Sequence, residues 1–152
     1  MKKTVAMMLA LMSLFALAAC SDPEEGNVAE DRSLSEIMEE IQSGVELPAL
    51  MEIPIDDENF PYYLFIEKVE GEALASEAMI SAIPFSMALL RTAEGADAAK
   101  AAEEIRENAD PRKWICVEAE QVEVTRRGNL ILLVMADSAT AGLLTENFNA
   151  LS

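Results

Sequence analysis

The chain contains no histidine. That absence excludes Ser-His-Asp and Cys-His catalysis and every histidine metal site. Cysteine is almost missing too. Only Cys20 and Cys116 are present, so no Cys-x-x-Cys redox or zinc motif can be built. The six glycines stand singly, which removes any Gly-rich phosphate loop, and no Gly-x-Ser-x-Gly elbow occurs. Basic residues are scarce. Eleven Lys and Arg face 28 Asp and Glu, a net charge of −17, and such a field repels the phosphates of nucleic acid. What remains is 152 residues, a length that suits one domain with a real core.

The start of the chain is organised differently from the rest. Lys2 and Lys3 open it, Val5 to Phe15 is apolar apart from Ser13, and small residues lead to Cys20. This is the order of a secretory signal over residues 1–19. The apolar run is short of the roughly 20 residues that span a bilayer. Leu17-Ala18-Ala19-Cys20 resembles the lipobox of bacterial lipoproteins. The resemblance implies cleavage before Cys20 and a diacylglyceryl group on its sulfur. Two acyl chains anchor stably where one binds only marginally. The expected location is therefore the extracytoplasmic face of the cell membrane. From Cys20 onward, 28 acids face nine basic residues, a net charge of −19. Residues 20–32 are acidic and poor in bulky apolar side chains, the composition of a disordered tether.

Residues 33–152 carry the domain. Ser33 and Glu36 form a capping-box pattern, and Leu34, Ile37, Met38 and Ile41 follow at helical spacing up to Gly44. Pro48 and Pro54 interrupt the next segment, whose Leu47, Leu50, Met51 and Ile53 are expected to cover a core edge. Residues 60–70, with Tyr62-Tyr63-Leu64-Phe65-Ile66, read as strand by propensity or as a short helix started by the preceding acids. Met87 to Arg91 reads as a strand, and Asp97 caps a helix with a small-residue face of Ala98, Ala101, Ala102 and Ile105. Val122 to Thr125 alternates, Arg127-Gly128-Asn129 turns, and Leu130 to Met135 is apolar throughout, which predicts a hairpin with a central second strand. Asp137 or Ser138 opens a last helix with Leu144, Phe148 and Leu151 on one face. The expected fold is α+β, a single small domain with helices packed on one face of a mostly antiparallel sheet.

Met87-Ala88-Leu89-Leu90-Arg91-Thr92-Ala93-Glu94-Gly95 and Gly128-Asn129-Leu130-Ile131-Leu132-Leu133-Val134 resemble two segments of a domain-of-unknown-function family of small Gram-positive lipoproteins. In that family an acid often precedes the first of these strands, where Ser86 stands here. The resemblance implies a fold class and a surface location, and brings no catalytic residues. It also implies an accessory role in acylation of cell-surface glycopolymers, because some members are said to lie beside genes for membrane-bound O-acyltransferases.

Candidate chemistry is sparse. Cys116 is the one thiol left once Cys20 is lipidated. Its neighbours Trp114 and Ile115 predict a buried, inert side chain, and a reactive thiol would need a nearby cation such as Arg112 or Lys113. Asp56, Asp57 and Glu58 could offer oxygens to Ca2+, or simply start a turn and helix. Glu118 and Glu120 are expected to share a strand face, as a hydrolytic carboxylate pair would require. Arg126 and Arg127 read as a solvated turn. No cofactor motif is present.

Charge is distributed unevenly. Cys20 to Glu77 holds 17 acids and two basic residues, whereas Ala78 to Ser152 holds 11 and seven. This suits solubility beside a negative wall, or docking to a basic patch on a membrane or envelope protein. The expectation is a membrane-anchored, non-catalytic accessory or binding module. The alternatives are a small exported carboxylate-dependent hydrolase or transferase, and a divalent-cation-binding surface protein.

Overall fold

The computed structural model describes residues 27–152; the signal segment and Cys20 lie outside them. The capping box forms as its spacing implies. The Ser33 hydroxyl accepts from the Glu36 N–H, and the Glu36 carboxylate accepts from the Ser33 N–H, which opens α1 (Leu34–Gln42). Gly44 ends it at φ 76°, a conformation that favours glycine. Asp97 caps α3 (Ala98–Asn108) by accepting from the Lys100 N–H, and Asp137 caps α4 (Ser138–Ala150) by accepting from the Thr140 N–H.

Five strands form one sheet, β1 (Leu50–Ile55), β2 (Gly71–Ala78), β3 (Ser86–Thr92), β4 (Gln121–Arg127) and β5 (Leu130–Ala136), in the order β1-β2-β3-β5-β4. Every neighbouring pair is antiparallel. The α+β class and the small single domain agree with the sequence. The helices, however, do not share a face. Leu130, Leu132 and Val134 of β5 and Met87 and Leu89 of β3 pack under α1 and α4. Ile131, Leu133 and Met135, with Ala88 and Leu90, pack under α3 and the short α2 (Phe60–Leu64). The cause is visible in β5 itself. A strand that is apolar at every position must be covered on both sides, as polar alternation is the mark of a one-sided sheet.

The open segment, residues 60–70, contains α2 followed by irregular chain. Asp56 organises its start. Its carboxylate accepts from the Glu58 and Asn59 N–H groups, and Asn59 Oδ1 accepts from the Asp56 N–H. Pro61 sits in the first turn and Phe65 closes the helix in the left-handed region. β1 and β2 were not expected. Pro54 is tolerated because β1 is an edge strand, and β2 is built from small residues and glutamates that carry little strand signal.

The domain begins earlier than residue 33. Val28 is buried in the α1–α4 core, and the Arg91 guanidinium donates to the carbonyls of Ala29 and Arg32, both at 2.9 Å. The last part of the expected tether is therefore fixed to the C-terminal end of β3. Among the described residues no helix is long and apolar enough to cross a membrane.

Candidate functional site

One register row crosses the α2/α3 face at the end of the sheet where β3 starts. It runs Met51, Glu77, Ser86, Met135 and Val122, each paired with the next. Cross-strand partners point to the same face, so Glu77 and Ser86 project together toward the layer above. The segment after α3 delivers Lys113 to them. Asp110 shapes it: its carboxylate accepts from the Arg112 N–H and its carbonyl from the Lys113 N–H. The Ala119 N–H then closes the segment on the Pro111 carbonyl.

The Lys113 side chain is only 2 % exposed. Its ammonium donates to the Glu77 carboxylate at 2.5 Å and to Ser86 Oγ at 3.2 Å. Three rings enclose it: Tyr62 and Tyr63 from α2, with centroids at 4.4 and 4.7 Å, and Trp114 at 5.6 Å. The two tyrosines stand edge to face, 89° apart. Burial pulls the Lys113 pKa down, while the hydrogen bond and charge of Glu77 pull it back up. Burial raises the Tyr63 hydroxyl to about 12, helped by the Glu77 charge, and raises Tyr62 by the same causes. An ammonium this well matched to a carboxylate and to aromatic faces stays protonated at neutral pH.

A lysine beside a serine can form a nucleophilic pair. Here that chemistry is blocked twice. Glu77 holds Lys113 in its acid form, which cannot take a proton, and Ser86 is 4 % exposed. The cluster instead closes one end of the core with a buried ion pair.

Exposed apolar side chains are concentrated in the segments around that corner of the domain. Six large hydrophobic side chains are exposed among the described residues: Met51, Tyr62, Met79, Ile80, Ile115 and Leu143. The first five belong to segments that meet at the Glu77–Lys113 pair. Met51 is the register partner of Glu77, Tyr62 touches Lys113, Met79 and Ile80 continue β2 past Glu77, and Ile115 lies two residues beyond Lys113. Ile115 is completely exposed. Leu143 lies apart, on α4.

The residues singled out in sequence fall elsewhere. Cys116 is exposed and free, not buried; Trp114 turns inward to Lys113 and leaves Ile115 and Cys116 outside. Asp56 is occupied by its turn, and Asp57 pairs with Lys68 at 2.7 Å. Among the described residues no group of three or more Cys, Asp and Glu is placed to hold a metal ion. Glu118 and Glu120 precede β4 and share no strand face, and Glu120 accepts from the Ser138 N–H. Arg127 is more than a solvated turn residue, since it donates to the Leu151 carbonyl and holds the end of α4.

Near the corner, on the other side of the sheet end, a hollow of about 130 Å3 is lined by Glu46, Pro48, Ile83, Phe85 and Asp137, among others. Ligand sites usually take roughly 300 Å3 or more. The Asp137 and Glu36 carboxyls lie below their ordinary range because they accept cap hydrogen bonds, the reverse of what a general acid needs. Lys113, Glu77 and Ser86 were missed in sequence because they lie 27 and 36 residues apart. Only an acid near the end of a small-residue strand, and a lysine beside tryptophan, could have marked them. Comparison with protein-family models, with curated proteins and with solved structures finds no match to this chain.

Proposed function

We propose that this chain is a non-catalytic binding module, held at the extracytoplasmic face of the cell membrane by a lipid on Cys20, whose apolar corner docks a membrane or envelope protein. The observation that carries the docking is that Met51, Tyr62, Met79, Ile80 and Ile115, five of the six large apolar side chains exposed among the described residues, belong to the segments around one buried ion pair. Scattered exposed apolar residues are ordinary, whereas a contiguous set marks an interaction surface. The anchor rests on the charge, apolar run, small residues and cysteine of residues 1–20. The resemblance to small Gram-positive lipoproteins supports a role beside cell-envelope polymer modification.

The test uses two variants of the full chain. Cys20→Ala should release the protein from the membrane fraction. Met79→Ser with Ile80→Ser should stay anchored, melt at the parent temperature and lose its crosslinked partner on intact cells. Membrane retention of the first variant would contradict the anchor. An unchanged crosslink in the second would contradict the docking corner.

A further inference from the structure

The charges around the apolar corner are as one-sided as its side chains. At this end of the sheet the cations are already matched. Lys113 pairs with Glu77, and Arg112 with Asp110. The acids are not. Glu46, Glu118, Glu120 and Asp137 lie in the segments that border this end, and none takes part in an ion pair among the described residues. Glu46 and Asp137 line the hollow beside Phe85, and Glu118 follows Ile115 by three positions. This end of the sheet thus exposes apolar side chains and unpaired acids on both of its faces, and among the described residues its two cations, Arg112 and Lys113, each have a carboxylate partner.

Resting on the reading of the domain as a binding module, we infer that the corner receives an apolar segment flanked by Lys or Arg, belonging to a protein partner. A second copy of this chain fits poorly. It would bring the same acids to a chain whose net charge from Cys20 onward is −19, and like charges across an interface oppose association. An anionic bilayer fits poorly because its headgroups would meet the unpaired acids at this end of the sheet. Exposed Tyr62 adds an aromatic anchor of the type that stacks on arginine.

The test places a photo-crosslinking benzoylphenylalanine at Ile115 in the full-length chain on intact cells, and identifies the attached peptide by mass spectrometry. Ile115 makes no buried contact, so the probe leaves the fold intact. Leu143, on α4, serves as the comparison site. The expected product is a peptide of another protein with apolar residues and at least two Lys or Arg, absent from the Leu143 probe. Its yield should fall at least roughly fivefold in Glu118→Lys with Glu120→Lys, as for reversed border charges. Glu120 also accepts a backbone hydrogen bond, so Glu118→Lys alone is run beside the pair and should show a smaller fall. A neutral or acidic peptide, or a yield indifferent to both charge reversals, overturns the partner chemistry while the binding-module reading stands. A crosslink to a second copy does the same. Lipid adducts, or no adduct specific to Ile115, overturn both.

Discussion

Replacing Glu77 by Gln should destabilise the domain far more than a surface change of similar size, because of what it does to Lys113. The ammonium is 2 % exposed and its one carboxylate partner is Glu77. Removing one member of a buried pair leaves an uncompensated charge and costs about 3–5 kcal/mol. The low end applies here. Ser86 still accepts a hydrogen bond, the Tyr62 and Tyr63 faces still attract the cation, and a glutamine carbonyl is itself an acceptor. We expect a loss of about 3 kcal/mol, or roughly 10–15 °C in melting temperature for a domain of this size. Lys113→Met alone should cost less, since the Glu77 side chain keeps 15 % of its exposure and with it some water. The combination Glu77→Leu with Lys113→Met should return to within about 1 kcal/mol of the parent, because burying a pair of ions is nearly balanced by burying apolar groups of like volume. Urea denaturation of all four proteins closes the cycle. The deficit of Glu77→Gln should also shrink as pH rises above neutral. Glu77 holds the Lys113 pKa up against burial, so without it the folded-state amine discharges at a lower pH than in the parent and the variant regains stability. If Glu77→Gln lay within 1 kcal/mol of the parent, or the double replacement were as unstable as the single, the reasoning would fail.

Four further variants have expected outcomes. Tyr63, raised from 10 to about 12, holds its proton in the folded state after the unfolded chain has lost it, so stability should fall as pH climbs from 10 to 12, and Tyr63→Phe should flatten that fall in thermal melts. Gly71 has φ 150°, and a Cβ there would stand 2.1 Å from the Arg91 carbonyl oxygen, so Gly71→Ala should cost about 3 kcal/mol or more. Gly95 at φ 85° meets nothing within 4 Å, so its alanine variant should lose only about 1 kcal/mol by chemical denaturation. Asp137→Ala removes the α4 cap and should cost about 1 kcal/mol at pH 7. Because the folded-state pKa of Asp137 is lowered from its ordinary 3.8, that difference should narrow as pH falls below 4.

Much of the architecture was legible from local signals. Ser33 with Glu36, Asp97 and Asp137 each marked a helix start that the structure uses, because capping depends on residues three apart. The β4–β5 hairpin was legible from its alternation, its Gly128-Asn129 turn and its apolar second strand. What failed was long-range. The unbroken apolar run of β5 requires two covered faces, where the expected fold has helices on one. β2 pairs with β1 and β3 through backbone hydrogen bonds that small residues and glutamates do not advertise. Cys116 was expected inside because cysteine, tryptophan and isoleucine are usually buried together, but Trp114 alone turns inward, drawn to Lys113. The site itself was invisible in sequence. Glu77, Ser86 and Lys113 meet only through the register of β2 on β3 and the path of the segment after α3.

Cys116 gives the most direct test of the central claim, that the corner is covered by a partner in the cell. It is exposed and lies next to Ile115 at the corner, and it is a native probe that needs no substitution. A membrane-impermeant maleimide is applied to the purified full chain and to intact producing cells, and the rate at Cys116 is followed by mass spectrometry. Leu143→Cys in a Cys116→Ser background, on α4, reports general access. The account predicts rapid labelling of Cys116 in the purified protein, labelling several-fold slower on cells, and equal rates at position 143 in both. Equal rates for Cys116 in the two settings would contradict it.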